Sequence, residues 1–462
     1  MSQPSVEVAD VGLPPIEVPR GERPQISASE FEARISALLA AVDADCVVVY
    51  ADREHAANLT YLCNFDPRFE EAILVLAGGR RTLLVGKEGV VYADVVPIPV
   101  DVVCTPTFSL MGIDRSGFPT VAEGLRDAGV VAGARVAVIG WKSIDASETL
   151  SSVAPIFVPS FVVDTLRELA GDPALVHDET AVLTGARDGQ RMICSADQIA
   201  VFEWGAARCS QWVMAIIQAA RPGLSGQQAF QAAPWDGEPL SLHPVFASGP
   251  DIANGLTSPS ARPLELGDAV VGCVGLWGGN CARGGTVASG PSDLGVQSDG
   301  YIEQLVAPYW QSMAAWYEAL AVGARGGDVF DTVIDALAGQ SFAPSLNPGH
   351  LIHYEEWLNS PIRNGSDDPI QSGMVLQSDI IPTGIRPGWV TNCEDTVAIA
   401  DAPLRAELAA RHPELWARVE ARRAFVRDRL GVSLAEDVLP LTATVLHLPP
   451  YWLSPGLSLA RA

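Results

Sequence analysis

The segment 270–285 reads VVGCVGLWGGNCARGG and decides both the fold and the question of function. Its apolar run, broken by Gly278 and Gly279, predicts two strands joined by a tight turn. Two other interpretations are less well supported. Cys273 and Cys281 lack the short paired spacing of a structural zinc site, and the segment has no Gly-Lys-Ser/Thr motif of a phosphate-binding loop. Its six glycines therefore indicate small residues packed closely beneath another element.

Composition narrows the class of protein. The chain has 462 residues, of which 48% are hydrophobic, and this length suits two or three domains with large cores. A net charge of −25 argues against nucleic acid and anionic membrane surfaces as partners. The eight cysteines include no C-x-x-C pair, and no apolar run is long enough to span a bilayer. These features predict a cytoplasmic protein whose thiols are reduced and buried.

The pattern along the chain predicts three regions. Residues 1–28 are rich in proline and predict an extended arm without helix or strand, either loose or packed on a neighbour. Residues 29–188 alternate strands with helices, which predicts an α/β domain with a mixed sheet. Residues 189–462 begin with a long helix behind the N-cap Ser195, followed by short strands, glycine-rich turns and further helices.

The segment 347–357, NPGHLIHYEEW, is the densest group of chemically active side chains. His350 and His353 stand beside Glu355 and Glu356, followed by Trp357. Clustered histidine and glutamate side chains suit metal ligation or general acid–base catalysis. A functional role for this segment is therefore expected.

Three other groups of charged residues have two interpretations each. Asp379 lies in an apolar strand, and Glu394 with Asp395 interrupts another. A buried acid needs a partner, so each acid belongs either to a structural ion pair or to a site. Arg68 precedes a buried strand, where it is either an ordinary surface charge or a ligand for an anion.

The order of these segments resembles the creatinase/aminopeptidase P/prolidase superfamily, whose fold is known as the pita-bread fold. The resemblance covers about residues 30–455 and implies an α/β N-terminal domain followed by an α+β pita-bread domain. It is carried by NLTYLCNFDPRFEEAILVL (58–76), RMICSADQIAVFE (191–203), HPVFASGPD (243–251), LELGDAVVGCVG (264–275), the Gly-His pair at 349–350, SGMVLQSDIIP (372–382) and CEDTVAI (393–399).

The resemblance also implies positions for metal ligands, and several of these positions have changed. Peptidases of the superfamily hold two metal ions through two Asp, one His and two Glu. His350 matches the histidine, Asp379 stands at the first glutamate, and Glu394 matches the second. Cys273 occupies the position of the first aspartate, and the second falls near Arg283 or Gly284. The superfamily's proton-shuttling histidine is replaced by Leu256 or Thr257.

These changes favour a metal-independent member without a cofactor, comparable to creatinase, which cleaves a C–N bond in a small guanidino compound. The expected activity is hydrolysis or elimination at a C–N bond of a small polar molecule. The alternatives are an inactive ligand-binding protein and a Xaa-Pro-type peptidase with one metal ion. The resemblance also implies a homodimer. The predicted catalytic residues are His350, His353, Glu356 and Glu394, and the predicted substrate-binding residues are Arg68, Cys273, Arg283 and Asp379.

Overall fold

The computed structural model describes residues 5–150 and 153–462, and the packing divides the chain into two units. One unit comprises Ile26–Met192, here called the N-terminal unit. The other comprises Met1–Gln25 and Ile193–Ala462, here called the C-terminal unit. In the described part of the chain, no helix combines the length and apolar character needed to cross a bilayer.

The proline-rich segment contains a strand that the sequence did not predict. Strand β1 (Val6–Asp10) pairs antiparallel with Leu457–Arg461, with Val8 opposite Leu459. The prediction of an arm without regular structure is therefore wrong at these five residues. Main-chain hydrogen bonds to a segment at the far end of the sequence fix this strand, and a local pattern carries no signal of such pairing.

The N-terminal unit is built on a six-stranded mixed sheet with the order β5-β4-β3-β2-β6-β7. The strands are β2 (Cys46–Ala51), β3 (Ala72–Ala77), β4 (Arg80–Val85), β5 (Asp101–Cys104), β6 (Val136–Ile139) and β7 (Val176–Asp178). The helices are α1 (Ala28–Ala41), α2 (Ala57–Cys63), α3 (Lys87–Tyr92), α4 (Val121–Ala128), α5 (Ser160–Ala170) and α6 (Ala181–Thr184). The turn between β3 and β4 needs positive φ at Gly78 (57°) and Gly79 (78°), as the Gly-Gly pair predicted.

The C-terminal unit is built on an antiparallel sheet with the order β12-β13-β15-β10-β9-β8, and β16 also pairs with β15. Its strands are β8 (Val245–Ser248), β9 (Ala269–Leu276), β10 (Gly279–Thr286), β11 (Ala343–Pro344), β12 (His350–Leu351), β13 (Val375–Ser378), β14 (Pro382–Thr383), β15 (Asn392–Ile399), β16 (Val438–Pro440) and β17 (Leu457–Arg461). Its helices are α7 (Ala196–Ala219), α8 (Gly226–Phe230), α9 (Ala307–Ala319), α10 (Gly326–Ala336), α11 (Ala402–Arg411) and α12 (Pro413–Leu430).

Close packing explains the glycines of the β9–β10 hairpin. A Cβ atom on Gly279 would lie 2.4 Å from the Cα of Ala206 in helix α7, and one on Gly284 would lie 2.6 Å from the amide nitrogen of Asn392 in β15. Any larger residue would push the hairpin away from these neighbours. Segment 270–285 is thus a tightly packed hairpin between helix α7 and strand β15, as predicted.

Candidate active site

His350 lies on the short strand β12, with its side chain fully buried. Its ring stacks on Trp357, with centroids 4.1 Å apart and planes 15° apart. Nδ1 lies 3.2 Å from the carbonyl oxygen of Leu351, and this oxygen can only accept a hydrogen bond. The proton of the neutral ring is therefore on Nδ1, which leaves the Nε2 lone pair available.

Two carboxylates lie close to that free nitrogen, and a third lies beside them. Nε2 of His350 lies 3.3 Å from Oε1 of Glu356 and 3.9 Å from Oδ2 of Asp379. Nε2 of His350 and Oδ1 of Asp379 are both buried, and neither atom has a hydrogen-bond partner. One donor atom from each of these three residues lies within 4.8 Å of the others. Glu394 completes the cluster, because its charge and that of Glu356 both act on Asp379.

Burial changes the protonation of these acids. Burial first, and then repulsion by Glu394 and Glu356, raises the pKa of Asp379 well above its usual value. Burial also raises the pKa of Glu394 to about 7, against the opposing effect of a hydrogen bond from Asn392. Burial therefore favours the protonated form of both acids, and a bound cation would favour their ionised form.

Two amide side chains fix Glu394 in place. Nδ2 of Asn392 donates to Oε1 of Glu394 at 2.9 Å, and Nδ2 of Asn280 donates to Oε2 at 3.1 Å. Asn280 also accepts a hydrogen bond from Sγ of Cys273 at 3.1 Å. Burial and the nearby carboxylates raise the pKa of Cys273 well above its usual value. Cys273 therefore faces the cluster as a neutral thiol that orients Asn280.

The strand register shows why this site differs from a two-metal centre. Cys273 lies opposite Ala282, and Ala282 lies opposite Glu394. Strand alternation places Cys273 of β9 and Asn280, Ala282 and Gly284 of β10 on this face, and neither strand contains a carboxylate. Two adjacent divalent ions need bridging carboxylates to offset their repulsion, so these residues do not fit a dinuclear centre.

The position of Arg283 argues against its predicted role in substrate binding. Because side chains alternate along a strand, Arg283 lies on the opposite face of β10 from Ala282. Its side chain is fully buried beside Asp395, with Nη2 2.7 Å from Oδ2. Its other N–H groups donate to the carbonyl oxygens of His447, Ala282, Glu394 and Thr444. All five donors are engaged, so none is left for a ligand.

His353 and Arg68 lie outside this cluster. His353 packs edge-on against Phe202 and Tyr354, with ring centroids 4.8 and 4.6 Å away. Arg68 belongs to the N-terminal unit, where its Nη2 donates to the hydroxyl of Tyr92 at 2.8 Å. It adopts a positive φ of 62° and its side chain is half exposed. Its role toward a substrate anion stays a prediction.

Asn392 was not identified as a site residue by reasoning from the sequence, and Asn280 was not assigned a role in the site. Asn392 stands two positions before Glu394 on β15, so strand alternation alone places both side chains on one face. Asn392 could therefore have been identified from the sequence. Asn280 reaches Glu394 from a neighbouring strand, and only the pairing of β10 with β15 reveals this contact.

Comparisons with known proteins agree on the fold. No family model matches the sequence, and neither does any curated protein. Among solved structures, the chain is similar to a Xaa-Pro dipeptidase from Bacillus anthracis, with 16% identity, a TM-score of 0.58 and coverage of 81% of this chain and 96% of that one. It is also similar to the prolidase from Pyrococcus horikoshii OT3, with 16% identity, a TM-score of 0.59 and coverage of 80% and 95%. A third similar structure is the X-Pro aminopeptidase from Thermotoga maritima MSB8, with 14% identity, a TM-score of 0.59 and coverage of 80% of this chain and 94% of that one.

These neighbours define the fold class. The chain has the pita-bread fold that these peptidase structures share, with an α/β N-terminal domain and an α+β C-terminal domain. The resemblance inferred from the order of sequence segments is confirmed at the level of the fold.

Replacing Glu394 with glutamine will change how stability depends on pH. The folded-state pKa of Glu394 is raised from 4.5 to about 7, so wild-type protein loses stability as pH rises through this range. The variant has no carboxyl group at this position and lacks this loss. The difference in free energy of unfolding between variant and wild type should therefore shift in favour of the variant by about 1–3 kcal/mol from pH 5 to pH 8. Urea denaturation at both pH values measures this difference. A difference independent of pH would show that Glu394 is already ionised at pH 5 in the folded protein.

Proposed function

We propose that this protein is an enzyme that hydrolyses a C–N bond in a small, positively charged molecule without a dinuclear metal centre. The observation that carries this proposal is the free Nε2 of His350 facing Glu356, Asp379 and Glu394. Among the described residues of the cluster His350 is the only basic side chain beside three acids, and Arg283, whose charge also lowers the pKa of Glu394, lies on the other face of the sheet. An anionic, largely buried cluster of carboxylates favours a cationic ligand such as an ammonium or a guanidinium group.

Each residue has a role that follows from its position. Asp379 and Glu394 hold the cationic group, and the amides of Asn280 and Asn392 keep Glu394 oriented. His350 removes a proton from an attacking water and passes it to the departing nitrogen as the C–N bond breaks. Glu356, which is partly exposed, stabilises the charge that His350 gains.

A second candidate is a peptidase with a single divalent ion. It is favoured by one observation, the three donor atoms of His350, Glu356 and Asp379 within 4.8 Å of one another. Histidine and carboxylate ligands suit Zn²⁺ or Mn²⁺, and such an ion would supply Lewis acidity at this position when bound. Both candidates require His350, but only the second one requires metal for activity.

A substrate screen tests the proposal directly. Purified protein is incubated with guanidino compounds, N-alkyl amino acids and Xaa-Pro dipeptides, and cleavage is followed by proton NMR. The first candidate predicts cleavage of a cationic guanidino or alkylamino compound in the presence of a chelator. Cleavage of Xaa-Pro dipeptides only after Mn²⁺ or Zn²⁺ is added would favour the second candidate. Ligand binding without any cleavage would identify a non-catalytic binding protein.

We also propose that the protein is a homodimer in which Arg68 contacts the substrate. The exposed guanidinium of Arg68 is partly held by Asp66, 3.4 Å away, and by the Tyr92 hydroxyl. In a homodimer it would grip the carboxylate of a substrate bound by the partner, as the superfamily resemblance implies. Sedimentation equilibrium measures the oligomeric state on which this role depends.

A further inference from the structure

A cavity of about 340 Å³ lies within the N-terminal unit. It is found where the parallel strands β2 and β6 end, because Tyr50 and Asp52 lie at the end of β2 and Trp141 follows β6. His55 and Phe157 complete its polar and aromatic walls. The carboxyl ends of adjacent parallel strands are where α/β sheets commonly bind ligands.

Three rings form one corner of this cavity. The centroids of His55 and Trp141 are 4.4 Å apart, and those of Trp141 and Phe157 are 5.3 Å apart with the planes inclined by 62°. The inclination makes an angular aromatic surface, because the rings do not close the space by stacking flat on each other. Such surfaces present the negative faces of the rings to a cation.

Asp52 supplies a carboxylate fixed beside these rings. Its Oδ1 accepts hydrogen bonds from the amides of Glu54 at 3.0 Å and His55 at 2.9 Å, and its Oδ2 lies 3.1 Å from Nδ1 of His55. The backbone therefore sets the position of this charge. A fixed carboxylate disfavours anionic ligands in the cavity and favours cations.

Lys142 shows that the rings already accept an ammonium group. Its Nζ lies 4.9 Å from the centroid of Trp141 and 5.2 Å from that of Phe157. The side chain is exposed, and the ion pairs among the described residues include none with Lys142. An exposed lysine side chain can adopt another rotamer with a small change in free energy. A ligand cation could therefore take the place of its ammonium group beside the rings.

We propose that this cavity binds an alkylated ammonium ion, with Trp141 and Phe157 receiving the alkyl groups and Asp52 balancing the charge. The site belongs to the N-terminal unit and does not depend on the proposed hydrolase activity. Alkylated ammonium ions are weakly hydrated and bind aromatic faces well, whereas the compact ammonium of lysine is strongly hydrated. The ligand therefore displaces Lys142.

Isothermal titration of the full chain with choline tests the site. The control ligand is 3,3-dimethylbutan-1-ol, which has the shape of choline without its charge. Choline should bind and the neutral analogue should bind at least about tenfold more weakly. Trp141→Ala should weaken choline binding about tenfold, and Asp52→Asn should weaken it while preserving the shape of the cavity. Lys142→Ala should strengthen binding, because the competing ammonium is gone.

Two results would contradict the proposal that this cavity binds an alkylated ammonium ion. One is equal binding of choline and its neutral analogue. The other is unchanged binding in both Trp141→Ala and Asp52→Asn, with loss in Asp379→Asn, since choline would then occupy the carboxylate cluster of the C-terminal unit. Sedimentation with phosphatidylcholine vesicles separates two sources of the same ammonium chemistry. If the wild-type protein co-sediments with the vesicles and Trp141→Ala does not, the site binds a lipid headgroup. If the wild-type protein does not co-sediment, the site binds a free small molecule.

Discussion

Replacing Arg283 with methionine will destabilise the C-terminal unit by about 3–5 kcal/mol. The guanidinium and the Asp395 carboxylate are both fully buried and lie 2.7 Å apart. The substitution leaves the Asp395 charge buried without its counter-ion. It also leaves the carbonyl oxygens of His447 and Thr444 without this donor. Both losses act in the same direction, so the effect should be among the largest of any single substitution around the site.

Urea denaturation followed by circular dichroism measures this loss. The matched control is the double variant Arg283→Met/Asp395→Leu, which removes both charges and should recover much of the stability. Thr442 and Thr444, whose hydroxyls donate to Asp395, will lose an acceptor in the double variant, so recovery will be incomplete. A single variant within about 1 kcal/mol of wild type would contradict the structural role assigned to Arg283.

Replacing His350 with asparagine will lower turnover of the identified substrate by about 10²–10⁴-fold. The variant removes the Nε2 lone pair, while Asp379 and Glu394 still hold the cationic group. The Michaelis constant should therefore change much less than kcat. Steady-state kinetics with the substrate from the NMR screen separates the two parameters.

His243→Asn is the matched control for this variant. His243 is exposed, and its Nε2 lies 2.6 Å from the hydroxyl of Ser258, outside the carboxylate cluster. Its replacement should leave kcat within about twofold of wild type. Unchanged kcat in His350→Asn would remove His350 from the chemistry, and a large rise in the Michaelis constant alone would assign it to binding.

Much of the fold could be predicted from the sequence because its elements have strong local signals. The β3–β4 hairpin was marked by its Gly-Gly turn, and helix α7 by the cap at Ser195, whose hydroxyl accepts from the amide of Gln198 at 3.1 Å. The hairpin of β9 and β10 was likewise visible as two apolar runs around Gly278 and Gly279. Each of these signals lies within a few residues of the element that it specifies.

The site was only partly predictable, because its contacts join distant strands. His350 and Glu356 were identified by their clustering in one segment, and Asp379 and Glu394 were identified as acids within apolar strands. Arg283 was assigned to the wrong face, since counting positions along the hairpin did not fix the register of β10 against β15. A shift of one residue moves a side chain to the other face of a sheet. Asn280 and strand β1 depend on the same kind of long-range pairing.

In the proposed reaction, three carboxylates and His350 act on a cationic substrate without a dinuclear metal centre. The most direct measurement is the metal content of catalytically active protein that has been purified without chelators, by inductively coupled plasma mass spectrometry. We expect substoichiometric metal, with turnover unchanged after dialysis against a chelator. Two equivalents of Mn, Co, Fe or Zn per chain, with turnover lost when they are removed and restored when they return, would contradict it.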